Sequence, residues 1–145
     1  MTGSMLEKAI KIAVQAHHGQ VDKAGAPYIL HLLRVMLRMN DETEMVVGVL
    51  HDIIEDTHWT AADLEAEGFP PEVVRVIRLL SKSNSESYEA FIARLAPDPL
   101  ARRVKITDLE DNMDIRRLIS LTKEDCARLT RYHQARKALK EWKVG

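Results

Sequence analysis

The segment VVGVLHDIIEDT, residues 46–57, constrains the fold of this chain more than any other stretch. Residues 45–50 are apolar almost without interruption, which predicts a helix that is buried on nearly all sides. Four ionisable residues follow within the next six positions, namely His51, Asp52, Glu55 and Asp56. Carboxylates are rarely buried without a cationic partner. The helix is therefore expected to bring its acidic end to a cation.

The rest of the chain also has helical periodicity. The first predicted helix carries an apolar stripe over residues 6–17, the second covers residues 28–39, and the third runs from Glu44 to about Glu55 or Asp56. Further helices are predicted in TAADLEAEG, PPEVVRVIRLLSKS, SESYEAFIARLA and DPLARRVKITDLEDNMDI, and a last helix begins after Thr122. Alternating β-type segments, repeats and linkers are missing. We predict a single compact all-α domain over residues 1–145, with seven or eight helices.

Composition excludes several classes of function. The chain has 145 residues, of which 46% are hydrophobic and 30% charged, as in an ordinary globular domain. Its net charge of −1 gives no reason to expect a nucleic acid or an acidic membrane as partner. The sequence contains no long apolar run and no recognisable targeting segment, so we predict a cytoplasmic location.

The single cysteine excludes another group of sites. Cys126 cannot form an internal disulfide, and one cysteine cannot build a cysteine-rich zinc site. It lies within EDCARLTRY, a predicted helix, where we expect it to pack as a small apolar residue.

The ionisable residues of the third helix are spaced for chemistry. Each residue turns a helix by about 100°, so His51 lies one turn from Glu55, and Asp52 lies one turn from Asp56. The adjacent His51 and Asp52 offer an imidazole nitrogen and a carboxylate oxygen to one point. This mixed pair suits a divalent transition metal such as Mn²⁺, Fe²⁺ or Zn²⁺.

Two ligands do not complete a metal site, so neighbouring helices must supply the others. His31 interrupts the apolar stripe of the second helix, and Asp108 follows RRVKIT in a segment that is mostly inward-facing. Each residue also has an ordinary structural explanation. A histidine on an apolar face is more often a core residue, an adjacent His-Asp pair is common by chance, and Asp56 can simply end its helix. The combination favours the metal site.

Three motifs occur together in an informative order: GQVDKAGAPYILH, VVGVLHDIIEDT and VKITDLEDNMD. In this order and spacing they resemble the HD-domain phosphohydrolases. More narrowly, they are similar to the hydrolase domain of the RelA/SpoT alarmone enzymes and to their small stand-alone relatives. The resemblance covers roughly residues 6–118.

The resemblance implies a helical HD-domain bundle, a reaction and a set of roles. In that family the reaction removes pyrophosphate from the 3′ position of ppGpp, and the substrate is a small nucleotide. The matching positions provide ligands for one divalent metal, usually Mn²⁺, at His31, His51, Asp52 and Asp108. The resemblance also implies an acidic pair that positions or activates water, Glu55 and Asp56, and a residue that contacts substrate, Asn112.

The phosphates of such a substrate require cations. Lys23 lies in the loop before PYIxH, and Lys105 lies one turn before Asp108, so both are predicted to contact substrate. Tyr28 is expected to pack beneath the site.

The chain departs from the resembled family at three positions near the site, one of which is Leu32, where a proline is common in that family. Asp22 replaces an arginine that stacks on the guanine base in that family, and Asp111 replaces an aromatic residue or histidine. A carboxylate cannot stack as a guanidinium does, and it repels phosphate. The sequence therefore predicts ppGpp hydrolysis weaker than in an alarmone hydrolase, or a substrate with a different base.

Two classes of function stay open at this point. One is a metal-dependent hydrolase of ppGpp or of another nucleotide phosphate, which the acidic pair favours. The other is a nucleotide-binding or metal-binding module without turnover. The length of the chain leaves no room for a synthetase domain, and it does not decide whether the protein forms a homo-oligomer.

Overall fold

The structure, a computed structural model, describes residues 3–144 and is built from helices. The α-helices are α1 (Met5–Ala16), α2 (Ile29–Leu37), α3 (Glu42–Leu50), α4 (Ile53–Asp56), α5 (Ala61–Ala66), α6 (Pro71–Leu79), α7 (Tyr88–Leu95), α8 (Pro99–Asn112) and α9 (Lys123–Lys140). A 3₁₀-helix, Ile115–Arg117, lies between α8 and α9. Between residues 3 and 144 the only β-pairing is an isolated bridge between Val21 and Pro27. The all-α prediction is confirmed.

The predicted third helix is divided in the structure. It ends as α3 at Leu50 and resumes as α4 at Ile53, with Asp52 at φ −99° and ψ 1° between them. The His51 side chain explains part of the break, because its Nδ1 atom lies 2.6 Å from the Gly48 carbonyl oxygen. The Gly48 carbonyl oxygen, which would accept a backbone N–H in a continuous helix, thus accepts a hydrogen bond from the His51 side chain. If α3 and α4 are taken as one broken rod, the described residues contain eight helical rods, as the sequence predicted.

Local sequence signals set the helix boundaries. Helices α1, α5 and α9 begin with capping boxes at Ser4, Thr60 and Thr122. In each box the hydroxyl accepts the backbone N–H of the residue three positions later, and the acidic side chain of that residue accepts the backbone N–H of the capping residue. Proline stands in the first turn of α6 and of α8, where its missing N–H costs no intrahelical hydrogen bond.

Helix α3 is the centre of the core. It packs against α1, α2, α6 and α8. Val46, Val47, Val49 and Leu50 have no exposed surface, which matches the apolar run in the sequence. Because α3 is buried this deeply, the residues that follow it are held against the neighbouring helices.

Gly48 allows α2 and α3 to approach each other. A Cβ atom at this position would lie 3.2 Å from the Met36 Cα and 3.2 Å from the Met39 Cγ. The Met36 contact is with backbone and cannot be relieved by a rotamer change. The absence of a side chain at Gly48 therefore sets the distance between the two helices.

The environment of Cys126 differs from the one predicted from the sequence. Cys126 was predicted to pack within its helix, but it is exposed. The face of α9 that carries it lies away from the core. Of the described helices, none is both long and apolar enough to span a membrane.

We expect Gly48→Val to destabilise the fold, because the added side chain meets the α2 backbone. Overpacking of this kind typically costs about 1–3 kcal/mol in the free energy of unfolding. Chemical denaturation of this variant and of Ala93→Val, a matched change at an exposed helical position, measures the effect. Ala93→Val should cost less than about 0.7 kcal/mol, the difference in helix propensity. Equal stability of the two variants would contradict the close approach.

Candidate metal centre and cleft

Three parts of the fold bring four ligand-type residues together. Helix α2 contributes His31, the break between α3 and α4 contributes His51 and Asp52, and α8 contributes Asp108. All four side chains are buried. Each offers a ligand atom, and these atoms lie within 4.8 Å of one another. The predicted set is therefore one cluster.

The two imidazole rings point at the same carboxylate oxygen. His31 Nε2 lies 2.9 Å from Asp108 Oδ1, and His51 Nε2 lies 3.5 Å from that atom. His51 Nε2 also lies 3.2 Å from Asp52 Oδ2. Both Nε2 atoms are buried and make no well-directed hydrogen bond within the described part of the chain.

The opposite nitrogen of each ring is already engaged. His31 Nδ1 lies 2.6 Å from Asp111 Oδ2, and His51 Nδ1 lies 2.6 Å from the Gly48 carbonyl oxygen. Carboxylate and carbonyl oxygens only accept hydrogen bonds, so each Nδ1 carries the proton. When its Nε2 is deprotonated, each ring directs a lone pair into the cluster, as metal-binding histidines do. Two nitrogens and two carboxylates fit a divalent transition metal.

The charges around the cluster attract a cation. Burial by itself disfavours a charged His31, but the carboxylates of Asp108 and Asp111 outweigh it and raise its pKa to about 9. Burial likewise opposes ionisation of Asp52, yet the adjacent His51 lowers the pKa of that carboxyl. The site thus stabilises positive charge between the rings and the carboxylates, and a proton or a divalent cation can supply it.

Both carboxylates are held by neighbouring donors. The Tyr28 hydroxyl donates to Asp52 Oδ2. Asp108 Oδ2 accepts from the Lys105 ammonium at 2.8 Å, and Asp108 Oδ1 accepts from Asn112 Nδ2 at 3.0 Å. Tyr28 also packs its ring near that of His31, with centroids 5.3 Å apart, so it contacts two residues of the cluster.

Lys105 is placed differently from the substrate contact that the sequence predicted. Its ammonium binds Asp108 and lies 5.3 Å from the centroid of the Phe91 ring and 5.8 Å from that of Tyr88. Only 13% of the side chain is exposed, and it does not line the cleft beside the cluster. In the structure Lys105 therefore supports the Asp108 carboxylate.

A cleft of about 600 Å³ opens next to the cluster. Of the predicted site residues, Lys23, Asp56 and Asn112 line it. Positive charge is also supplied by Arg117 and Arg128, which the sequence analysis did not select for substrate binding. The wall further includes Gln20, Asp22, Tyr28, Asp114 and Tyr132.

The predicted acidic pair has two different environments. Glu55 Oε1 accepts the Lys82 backbone N–H at 2.7 Å, which fixes its side chain against the segment after α6. Asp56 lines the cleft, where burial first and then the charges of Asp52 and Glu55 raise its pKa to about 6. The backbone carbonyl of Asp56 also accepts Gln20 Nε2 at 3.0 Å.

Asp22 organises its own loop. Its Oδ1 atom accepts the N–H of Ala24 at 2.8 Å and of Ala26 at 2.9 Å. Gly25 lies between them with φ +85°, a conformation that favours glycine. From the sequence, Asp22 was interpreted as a lost base contact and as a negative charge near phosphate, whereas in the structure its carboxylate shapes the loop that carries Lys23.

Comparison with known proteins places this fold. The family model described as HD domain matches residues 9–135, most of the chain. The chain belongs to the HD domain family. A solved metazoan ortholog of SpoT that hydrolyzes ppGpp has this fold too, with a TM-score of 0.78. The match covers 97% of this chain and 89% of that chain at 21% identity.

The HD-domain chain is also similar to parts of longer curated proteins. It is 29% identical over 120 residues to guanosine-3′,5′-bis(diphosphate) 3′-pyrophosphohydrolase of Aquifex aeolicus, covering 74% of this chain and 17% of that protein. It is 31% identical over 144 residues to GTP pyrophosphokinase of Myxococcus xanthus, covering 86% and 18%. The chain thus spans about a sixth of the length of these relatives.

We expect the chain to bind one divalent metal at this cluster, and His51→Ala to abolish stoichiometric binding because an Nε2 ligand is lost. Elemental analysis after reconstitution with Mn²⁺ and gel filtration measures the metal content. His133→Ala, which removes an exposed histidine on α9, is the matched control and should keep wild-type content. Equal metal content in wild type and His51→Ala would contradict the site.

Proposed function

We propose that this HD domain is a metal-dependent phosphohydrolase that removes pyrophosphate from the 3′ position of ppGpp or of a closely related nucleotide. One observation carries the proposal: the His31, His51, Asp52 and Asp108 cluster lies beside a cleft that contains both an acidic residue and cations. The names of the relatives support the substrate, because the Aquifex protein is a ppGpp 3′-pyrophosphohydrolase and the metazoan protein hydrolyzes ppGpp.

In this proposal His31, His51, Asp52 and Asp108 hold the metal. When bound, a divalent metal supplies a Lewis acid for phosphoryl oxygen and makes water a better nucleophile. Mn²⁺ is our first choice, and the donor set also permits Fe²⁺ or Zn²⁺. Lys105 and Tyr28 keep the two carboxylates oriented.

Asp56 is the residue that we assign to proton transfer. It lines the cleft, and its raised pKa makes the carboxylate a better base than a solvated aspartate. Glu55 stands next to it and is fixed by the Lys82 N–H. We assign Glu55 to orienting the attacking water, since a side chain held on one oxygen still offers the other.

The cleft cations receive the phosphates. Lys23 is exposed on the Asp22 loop, and Asn112 reaches the cleft one turn after Asp108. Arg117 lies near Asp114, and Arg128 binds Asp125. These contacts orient the guanidinium groups, and each group has further N–H donors that can bind phosphate. A cytoplasmic location remains a prediction from the sequence, which leaves the oligomeric state open.

The substrate is tested by a screen of the Mn²⁺-loaded protein against ppGpp, pppGpp, nucleoside 5′-phosphates, nucleoside 3′-phosphates and NADPH. We expect ppGpp to yield GDP and pyrophosphate, with His51→Ala as the inactive control. If the protein hydrolyses only a different nucleotide, ppGpp is not its substrate and that nucleotide takes its place. Metal-dependent binding of ppGpp without any product would favour the non-catalytic module.

We expect Glu55→Gln and Asp56→Asn each to lower kcat by about 10²- to 10⁴-fold, the usual worth of acid–base assistance. Gln at position 55 keeps an oxygen that can accept the Lys82 N–H, so Mn²⁺ content and melting temperature should stay near wild type. Glu65→Gln, an exposed acid on α5, is the matched control. Full activity in both variants would remove the pair from the mechanism.

We expect Asp22→Arg to impair the protein, because the Asp22 carboxylate holds the loop that carries Lys23. Asp22→Arg removes the acceptor of two loop hydrogen bonds, each worth about 0.5–1.5 kcal/mol, so we expect KM for ppGpp to rise by roughly fivefold or more. Asp22→Asn keeps an acceptor oxygen and should stay near wild type. Steady-state kinetics distinguishes the two roles, because a gain in kcat/KM for Asp22→Arg would show that base stacking matters more than loop structure.

A further inference from the structure

Asp111 is a half-buried link between the metal cluster and the surface of the bundle. It stands three residues after Asp108, on the next turn of α8, and 11% of its side chain is exposed. Its Oδ2 atom lies 2.6 Å from His31 Nδ1. Its Oδ1 atom accepts Arg34 Nε at 2.7 Å, and Arg34 Nη2 donates to Oδ2 at 3.0 Å.

This arrangement fixes the carboxylate in two directions. Arg34 lies on α2, three residues after His31, so the paired guanidinium and the histidine come from the same helix. A two-pronged arginine contact defines both the position and the plane of a carboxylate. The oxygen that faces His31 Nδ1 therefore cannot rotate away without breaking the Arg34 contact.

We propose that the Asp111–Arg34 pair positions His31 for the metal by holding the proton on Nδ1, so that the Nε2 lone pair faces Asp108. The inference rests on the metal site of the proposed function. A histidine that keeps the proton on Nε2 cannot bind metal through that atom, and a ring without a fixed partner must be ordered when the metal binds. Changes to such supporting carboxylates typically weaken metal affinity by 10- to 100-fold.

The same two helices contain a natural control. One turn farther along, Arg38, the C-cap residue that follows α2, binds Glu110 on α8 with Nη2 2.6 Å from Oε1. This ion pair joins α2 to α8 as Arg34 and Asp111 do, but neither residue contacts a histidine of the cluster. If each pair only ties the helices together, breaking either pair should lower metal affinity by the same factor.

The test is a titration of the metal-free full chain with Mn²⁺, in which the electron paramagnetic resonance signal measures the concentration of free Mn²⁺. We expect Kd to rise by about 10- to 100-fold for Asp111→Ala and by a smaller factor for Asp111→Asn, which keeps an acceptor. Arg34→Ala should weaken binding, and Arg38→Ala should not. Wild-type affinity in Asp111→Ala, or equal weakening by Arg38→Ala and Arg34→Ala, would overturn the proposal.

A second readout follows the proton itself. In the Zn²⁺-loaded chain we expect the His31 Nδ1–H proton to appear as a downfield, slowly exchanging NMR resonance in wild type and in Arg38→Ala, and to be lost in Asp111→Ala. Its absence in wild type would overturn the positioning role. A wild type that binds neither metal would overturn the metal site as well, whereas equal binding by wild type and Asp111→Ala would overturn only the role of Asp111.

Discussion

The interaction on which the site depends is the meeting of two histidine Nε2 atoms with one buried carboxylate oxygen. The Nε2 atoms of His31 and His51 both face Asp108 Oδ1. The Nδ1 atom on the opposite side of each ring is bound to an oxygen acceptor, which fixes the orientation of the ring. Lone pairs that face carboxylates in a buried place repel each other unless a cation lies between them. The donors around the cluster, including Lys105 and Tyr28, reduce that cost at the outer oxygens of the carboxylates.

The packing of α3 makes this meeting possible. Gly48 brings α2 and α3 together because it has no side chain, and its carbonyl oxygen also holds the His51 ring. The helix then breaks, so His51 and Asp52 point into the cluster while Asp56 reaches the cleft. A single continuous helix would have kept all four ionisable residues on one rigid spiral. The break separates His51 and Asp52 of the cluster from Glu55 and Asp56.

The sequence predicted the helices and the four clustered residues, because apolar periodicity and a ligand-type residue on an apolar face are local signals. It did not predict contacts that arise only when helices meet. Lys105 was assigned to substrate from its distance to Asp108 along the helix, but that same distance lets it bind Asp108. Asp111 was noted only as a departure from a family pattern, although its spacing from Asp108 places both on one face of α8. Asp22 was judged by the charge it carries, while the structure uses it as an acceptor within the loop.

The central claim is that the cluster is a metal centre, and anomalous diffraction from crystals grown with Mn²⁺ tests it most directly. Data collected on both sides of the manganese absorption edge locate the ion without assumptions about activity. The account predicts one strong peak per chain, within bonding distance of His31 Nε2, His51 Nε2 and a carboxylate oxygen of Asp52 and of Asp108. A map with no peak at this position, or with the ion bound elsewhere while the four side chains keep the arrangement described, would contradict it.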